Sequence, residues 1–132
     1  MNIQEFSVDI MNKEFKLGYT DCFALTLKYI EGLGFKPPRK FKGVTKKTYP
    51  ILYKKNPVKA LVIMIEFLES FLIKIDPWGH NAGDIMLLRF DDSFFLAVNG
   101  GNGTIVASTE KYGVKLLPLK SYNIVGVYRW QH

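Results

Sequence analysis

The sequence predicts an α+β fold in which helices come first and an antiparallel sheet follows. Three observations predict it. Apolar residues recur at helical spacing from Asp21 to Glu31 and again from Pro57 to Ile75. Short apolar runs separated by turn residues fill Ile85 to Trp130. The two patterns occupy different halves of the chain instead of alternating, which separates the layers in sequence as well as in space. A chain of 132 residues that is 48% hydrophobic can bury a core of its own, so one domain spanning 1–132 is expected.

Scattered apolar positions between Ile3 and Lys16 fit a first amphipathic helix. Around Gly18-Tyr19-Thr20-Asp21-Cys22-Phe23-Ala24-Leu25, Thr20 or Asp21 can cap a second helix, which puts Cys22, the one cysteine, at N1 or N2. The exposed N–H groups and macrodipole there favour a thiolate over a thiol. Phe23, Leu27 and Ile30 form one stripe of this helix, and Gly32 and Gly34 end it.

Pro37-Pro38 opens a basic segment with Gly43, Pro50 and no sustained periodicity, which predicts a long connection. Between Phe35 and Lys59 lie nine basic residues and no acidic one, leaving nine basic against 12 acidic elsewhere, so the net charge of +6 is regional. Lys36, Arg39, Lys40, Lys42, Lys46, Lys47, Lys54 and Lys55 are candidate anion-binding residues, interleaved with Phe41, Tyr49 and Tyr53. A solvated loop whose lysines only maintain solubility is the competing reading.

Asn56-Pro57 starts the next helix, with asparagine as cap and proline at N1. It is expected to run to Asp76-Pro77 with Val58, Leu61, Val62, Ile65, Leu68, Leu72 and Ile75 on one face. The other side is also apolar, and Met64, Phe67 and Phe71 there are candidate partner-binding residues. Strands are expected at Ile85–Phe90, Phe94–Val98, Thr104–Ser108 and Asn123–Trp130, with turns at Asp91-Asp92-Ser93 and at Asn99 to Gly103.

One cysteine excludes an intramolecular disulfide, so the fold does not depend on an oxidising compartment. Two histidines 52 positions apart form no zinc spacing, and no metal or other cofactor is expected. The Asn99–Gly103 glycines precede no helix, so they read as a turn and not as a phosphate loop. No signal peptide is read at Met1 to Ile10, and four charges inside Val58–Ile75 argue against a membrane span.

The order of several short motifs carries a resemblance. Asp21-Cys22-Phe23-Ala24-Leu25 opens a helix, Gly83-Asp84-Ile85-Met86 opens a strand, and Gly101-Asn102-Gly103 ends the next. Ile105-Val106-Ala107-Ser108, Gly113-Val114 and Gly126-Val127-Tyr128-Arg129 follow. From Gly18 to Trp130 this order resembles the NlpC family of papain-like cysteine peptidases and amidases that cut cell-wall peptides. It looks most like short stand-alone members encoded by tailed bacteriophages.

The resemblance implies a papain-like fold and makes Cys22 the family's nucleophile. The family's histidine base starts the strand after the Gly-Asp strand, a position that counts to Phe95 here, with Ser93 and Phe94 beside it. Phenylalanine cannot carry a proton, and general acid–base work of that kind contributes about 10²–10⁴-fold in rate. His80 is the candidate base of an active alternative, but it precedes the Gly-Asp strand, and the length of that strand, roughly 20 Å, separates it from the expected position. His132 is terminal.

Three functions follow from these readings. The first is a non-catalytic NlpC-like structural or assembly component of a phage tail, made in the host cytoplasm and held among other tail proteins. The alternatives are an active peptidoglycan endopeptidase with Cys22 as nucleophile, and an anion-binding module that holds nucleic acid or another anionic polymer through residues 35–59.

Overall fold

The computed structural model describes residues 2–14, 16 and 21–130. Four helices precede a six-stranded sheet: α1 Ile3–Ile10, α2 Cys22–Gly32, α3 Tyr49–Lys55 and α4 Pro57–Glu69, then β1 Ile73–Ile75, β2 Ile85–Phe90, β3 Ser93–Gly101, β4 Thr104–Thr109, β5 Gly113–Pro118 and β6 Asn123–Arg129. Neighbouring strands are antiparallel throughout, in the order β1-β6-β2-β3-β4-β5. The expected α+β class is therefore the observed one.

Period-two alternation along β2 and β3 sorts their side chains onto two faces. Ile85, Leu87, Leu96 and Val98 face the helices and join Phe6, Leu25, Ile30 and Leu68 in the main core. Met86, Leu88 and Ala97 face the other way, where Ile105, Val127 and Leu119 complete a second buried cluster. Burial on both faces explains why β2 reads as a continuous apolar run.

Helices α1, α2 and α4 each start on a residue that caps their unpaired N–H groups, whereas Thr48 at the start of α3 makes no side-chain cap bond. Asn2, Asp21 and Asn56 accept through their side chains from the backbone N–H of Glu5, Ala24 and Lys59. Beyond α1 the chain joins the sheet edge: Asn12 N–H donates to Val114 O at 2.9 Å, and Val114 N–H donates to Lys13 O at 2.9 Å.

Three expectations are corrected. First, α4 stops at Glu69, where the Ser70 hydroxyl donates to Phe67 O, and Ile73–Ile75 form an edge strand paired with β6 instead of a last helical turn. Second, the basic segment is not all connection. A Phe41–Val44 bridge is followed by α3, in which Tyr49 and Pro50 are buried.

Third, the burial of α4 departs from that expected, although Leu68 and Leu72 of the expected inner face are buried. Met64 and Phe67 are 2% and 3% exposed, and Phe71 is half-buried against the core, so these are not a partner surface. Val58 and Val62, expected inside, are 71% and 47% exposed. The physical reason is the basic segment itself, whose rings fold over the helix. Phe41 meets Phe67 edge-on at 5.4 Å, Phe35 stacks on Phe71 at 4.8 Å, and Lys42 pairs with Glu66.

Candidate functional site

Cys22 is the first residue of α2, and Asp21 supplies the cap, as one of the two sequence alternatives has it. Thr20 and the rest of Leu17–Thr20 lie outside the described residues, as does His132. Cys22 opens onto a cleft of about 320 Å³ that also touches Tyr49, Tyr53, Phe94 and Ser108, with exposed Lys54 and Glu110 among its lining residues.

Opposing influences act on the thiol. Burial pushes Cys22 up from the ordinary 9.0 to about 11, and the nearby Asp21 carboxylate adds to this, while the backbone amides of Leu96 and Phe23 pull it down. The helix N-terminus favours a thiolate, but desolvation among aromatic walls wins, and the group is a protonated thiol at neutral pH. Because the folded value is raised, this burial favours folding below the unfolded thiol value. That contribution is lost as pH rises from about 9.0 through about 11.

The position expected for a base is now visible. Phe94 and Phe95 both line the Cys22 cleft; Phe94 packs against the main core, as Cys22 does, whereas the Phe95 ring packs against the second cluster, edge-on to Tyr122 at 5.1 Å. Counting from the glycine turn gives Phe95, but the pleat gives Phe94, and neither carries a proton.

His80 is elsewhere. Its Nδ1 accepts from Asn99 Nδ2 at 2.9 Å, while Asn99 Oδ1 accepts from Gly101 N–H at 2.8 Å and so fixes the amide orientation. Asn99 is three residues along β3 from Leu96, which means about 10 Å along the strand and the opposite face. His80 and Cys22 are not brought together.

His80 adjoins a polar anchor that sequence reading left without a role. Asp84 is 2% exposed and accepts from Arg129 Nε at 2.7 Å, from Arg129 Nη2 at 2.8 Å and from Asn81 N–H at 2.8 Å. The two-pronged geometry ties the 79–84 loop to β6. The Gly83-Asp84 pair gave the signal, because a buried carboxylate at a strand start needs a cation, and Arg129 is the basic residue of the closing strand.

Gly83 has its own reason. Its φ is +91°, the Tyr29 hydroxyl donates to its carbonyl at 2.9 Å, and a Cβ there would sit 2.9 Å from the Tyr29 oxygen. Gly83→Ala is expected to cost about 2 kcal/mol, and Tyr29→Phe about 1 kcal/mol for the lost hydrogen bond. The double variant should lose less than the sum, since removing the oxygen relieves the clash; urea unfolding of all four proteins measures this coupling.

The basic residues do not form one patch. Lys42 is paired with Glu66, Lys54 belongs to the Cys22 cleft, and Lys55 is in the last turn of α3. Arg39, Lys46 and Lys47 line a separate groove against α2, while Lys36 and Lys40 are exposed.

Among the described residues no cluster of side chains suits a metal ion, and no helix is long and apolar enough to cross a membrane. No protein-family model and no curated sequence matches the chain.

Proposed function

We propose that this chain is a non-catalytic domain of NlpC-like descent, used as a structural or assembly component of a bacteriophage tail. One observation carries the non-catalytic part: the thiol in the nucleophile's position is held protonated by burial in a cleft lined by Phe94 and Phe95, while the described histidine is fixed to Asn99 on the other side of the sheet. A thiol without a base neither attacks an amide carbonyl nor has a proton donor for the leaving amine. The family and its tail setting rest on the order of short motifs from Asp21 to Arg129.

The test compares the native chain with Cys22→Ala. Both should release the same background of peptides from purified cell wall, and both should form the same complexes with tail proteins at high concentration. Release that depends on Cys22 overturns the proposal and favours the hydrolase. Alkylation gives a second readout: near neutral pH iodoacetamide should label native Cys22 about 10²-fold more slowly than a free thiol of pKa about 8.5. The rate should climb until pH reaches about 11.

A further inference from the structure

The Lys28 ammonium, on the exposed side of α2, lies against that of Lys13, with Lys46 close by and Asp9 as the neighbouring opposite charge. Lys46 also lines the groove of about 530 Å³ that runs between α2 and the 37–47 segment, together with Arg39, Lys47 and the carboxylate Glu31. Lys46 is common to both groups, which together hold five cations and the carboxylates Asp9 and Glu31. Two of them, Lys13 and Lys28, come from outside the basic segment and were invisible as partners in the sequence.

We propose that Lys13, Lys28 and Lys46, together with Arg39 and Lys47 of the adjoining groove, bind the phosphate backbone of a nucleic-acid duplex. The crowding has a physical signature: contact with Lys13, burial and the Lys13 charge all lower the Lys28 pKa from its ordinary value. A bound phosphate would reverse that, since an anion between like charges removes their repulsion.

The groove also selects the form of the ligand. Single strands are held by bases stacked on aromatic rings, and none of the residues lining this groove is aromatic. The rings interleaved with the lysines point elsewhere: Tyr49 is 7% exposed, Phe41 packs on Phe67, and Tyr53 belongs to the Cys22 cleft. The adjoining pocket that shares Arg39 and Lys46 is lined by Phe23, Phe41, Tyr49 and Phe67, but at about 20 Å³ it is too small to admit a base. What remains is cations without an open stacking platform, the chemistry of sequence-independent backbone contact. This site is separate from the Cys22 cleft, so the inference stands or falls independently of the proposed tail role.

The experiment titrates the full chain onto a labelled mixed-sequence DNA duplex of about 24 base pairs, between about 25 and 200 mM NaCl. Binding should weaken with salt along a line whose log–log slope is about −0.9 per phosphate engaged, or roughly −3 to −5 for this surface. Lys28→Gln and Lys46→Gln should each weaken binding several-fold and flatten the slope by about 0.9, whereas Lys120→Gln, next to Leu119 of the second cluster, should do neither. Three results would overturn the inference: no duplex binding at low salt, tighter binding of an oligo-dT of the same length, or equal losses in all three variants.

Discussion

Asp84→Ala should lower stability by about 3 kcal/mol, read as a fall in melting temperature of about 10 °C for a domain of this size. The carboxylate is 2% exposed and satisfies three donors, two on Arg129 and the Asn81 N–H. Deleting it strands the Asn81 N–H and leaves a guanidinium without its partner. Arg129 has 34% of its side chain exposed, so water recovers part of that loss, which keeps the cost at the lower end of the range for a broken buried pair. Arg129→Ala, combined with Asp84→Ala in a double-mutant cycle, should show strong coupling, because either change alone removes the same pair. A loss below about 1 kcal/mol would mean that the loop and β6 are held by their backbone bonds alone.

The same anchor shows what sequence could and could not convey. Strands β2 to β4 and β6 were legible because apolar runs and turn residues are local signals, and Asp91 and Asn102 adopt the positive φ that their turns require. The bounds differ at three of them: β3 runs Ser93–Gly101, into the expected Asn99–Gly103 turn, β4 reaches Thr109, and β6 ends at Arg129. The N-cap at Asp21 was equally local. β1 was not legible, because Ile73-Lys74-Ile75 continues the helical pattern of α4 and becomes a strand only through pairing with Arg129, Tyr128 and Val127, more than fifty residues away.

Helix α4 shows a different limit. When both faces are apolar, periodicity reports a helix but not its orientation, and the decision passes to whatever packs on it. Phe35 and Phe41 make that decision from a segment whose lysines suggest solvent exposure. The segment is amphipathic without being periodic: Phe35, Phe41 and Tyr49 turn inward and its cations outward, while Tyr53 lines the Cys22 cleft. Lysine and aromatic interleaving therefore had two readings, and the structure uses the rings for its own core. That leaves the cations as the surface feature and removes the stacking contacts a single strand would need.

The candidate site has the same character. Cys22 at N1 was legible from Asp21, but the sign of its pKa was not, since a helix start alone predicts a lowered value. The sign is set by burial, in a cleft to which Tyr49 of α3 and Phe94 of β3 contribute walls. Tertiary burial thus decides whether a nucleophile's position holds a nucleophile.

Gly113→Ala should cost about 2–4 kcal/mol and detach the N-terminal arm from the sheet. Gly113 has φ +75°, and a Cβ built there would lie 2.2 Å from Lys13 O and 3.0 Å from Lys13 C. Those are backbone atoms, fixed by the bonds that join Asn12 and Lys13 to Val114, so no side chain can swing aside to make room. Gly103 supplies the control within the same molecule: its φ is also +75°, but nothing lies within 4 Å of the built Cβ. Gly103→Ala should therefore show only the left-handed backbone penalty, about 1 kcal/mol, and the difference between the two variants isolates the contact between α1's trailing segment and β5. Amide exchange gives the local readout: the Val114 N–H, which donates to Lys13 O, should lose protection in Gly113→Ala and keep it in Gly103→Ala. Equal losses in the two variants would show that the arm gives way freely and is not part of the cooperative fold. A larger loss at Gly113 makes the arm a structural member of the sheet edge, and it then holds Lys13 at a fixed position beside Lys28.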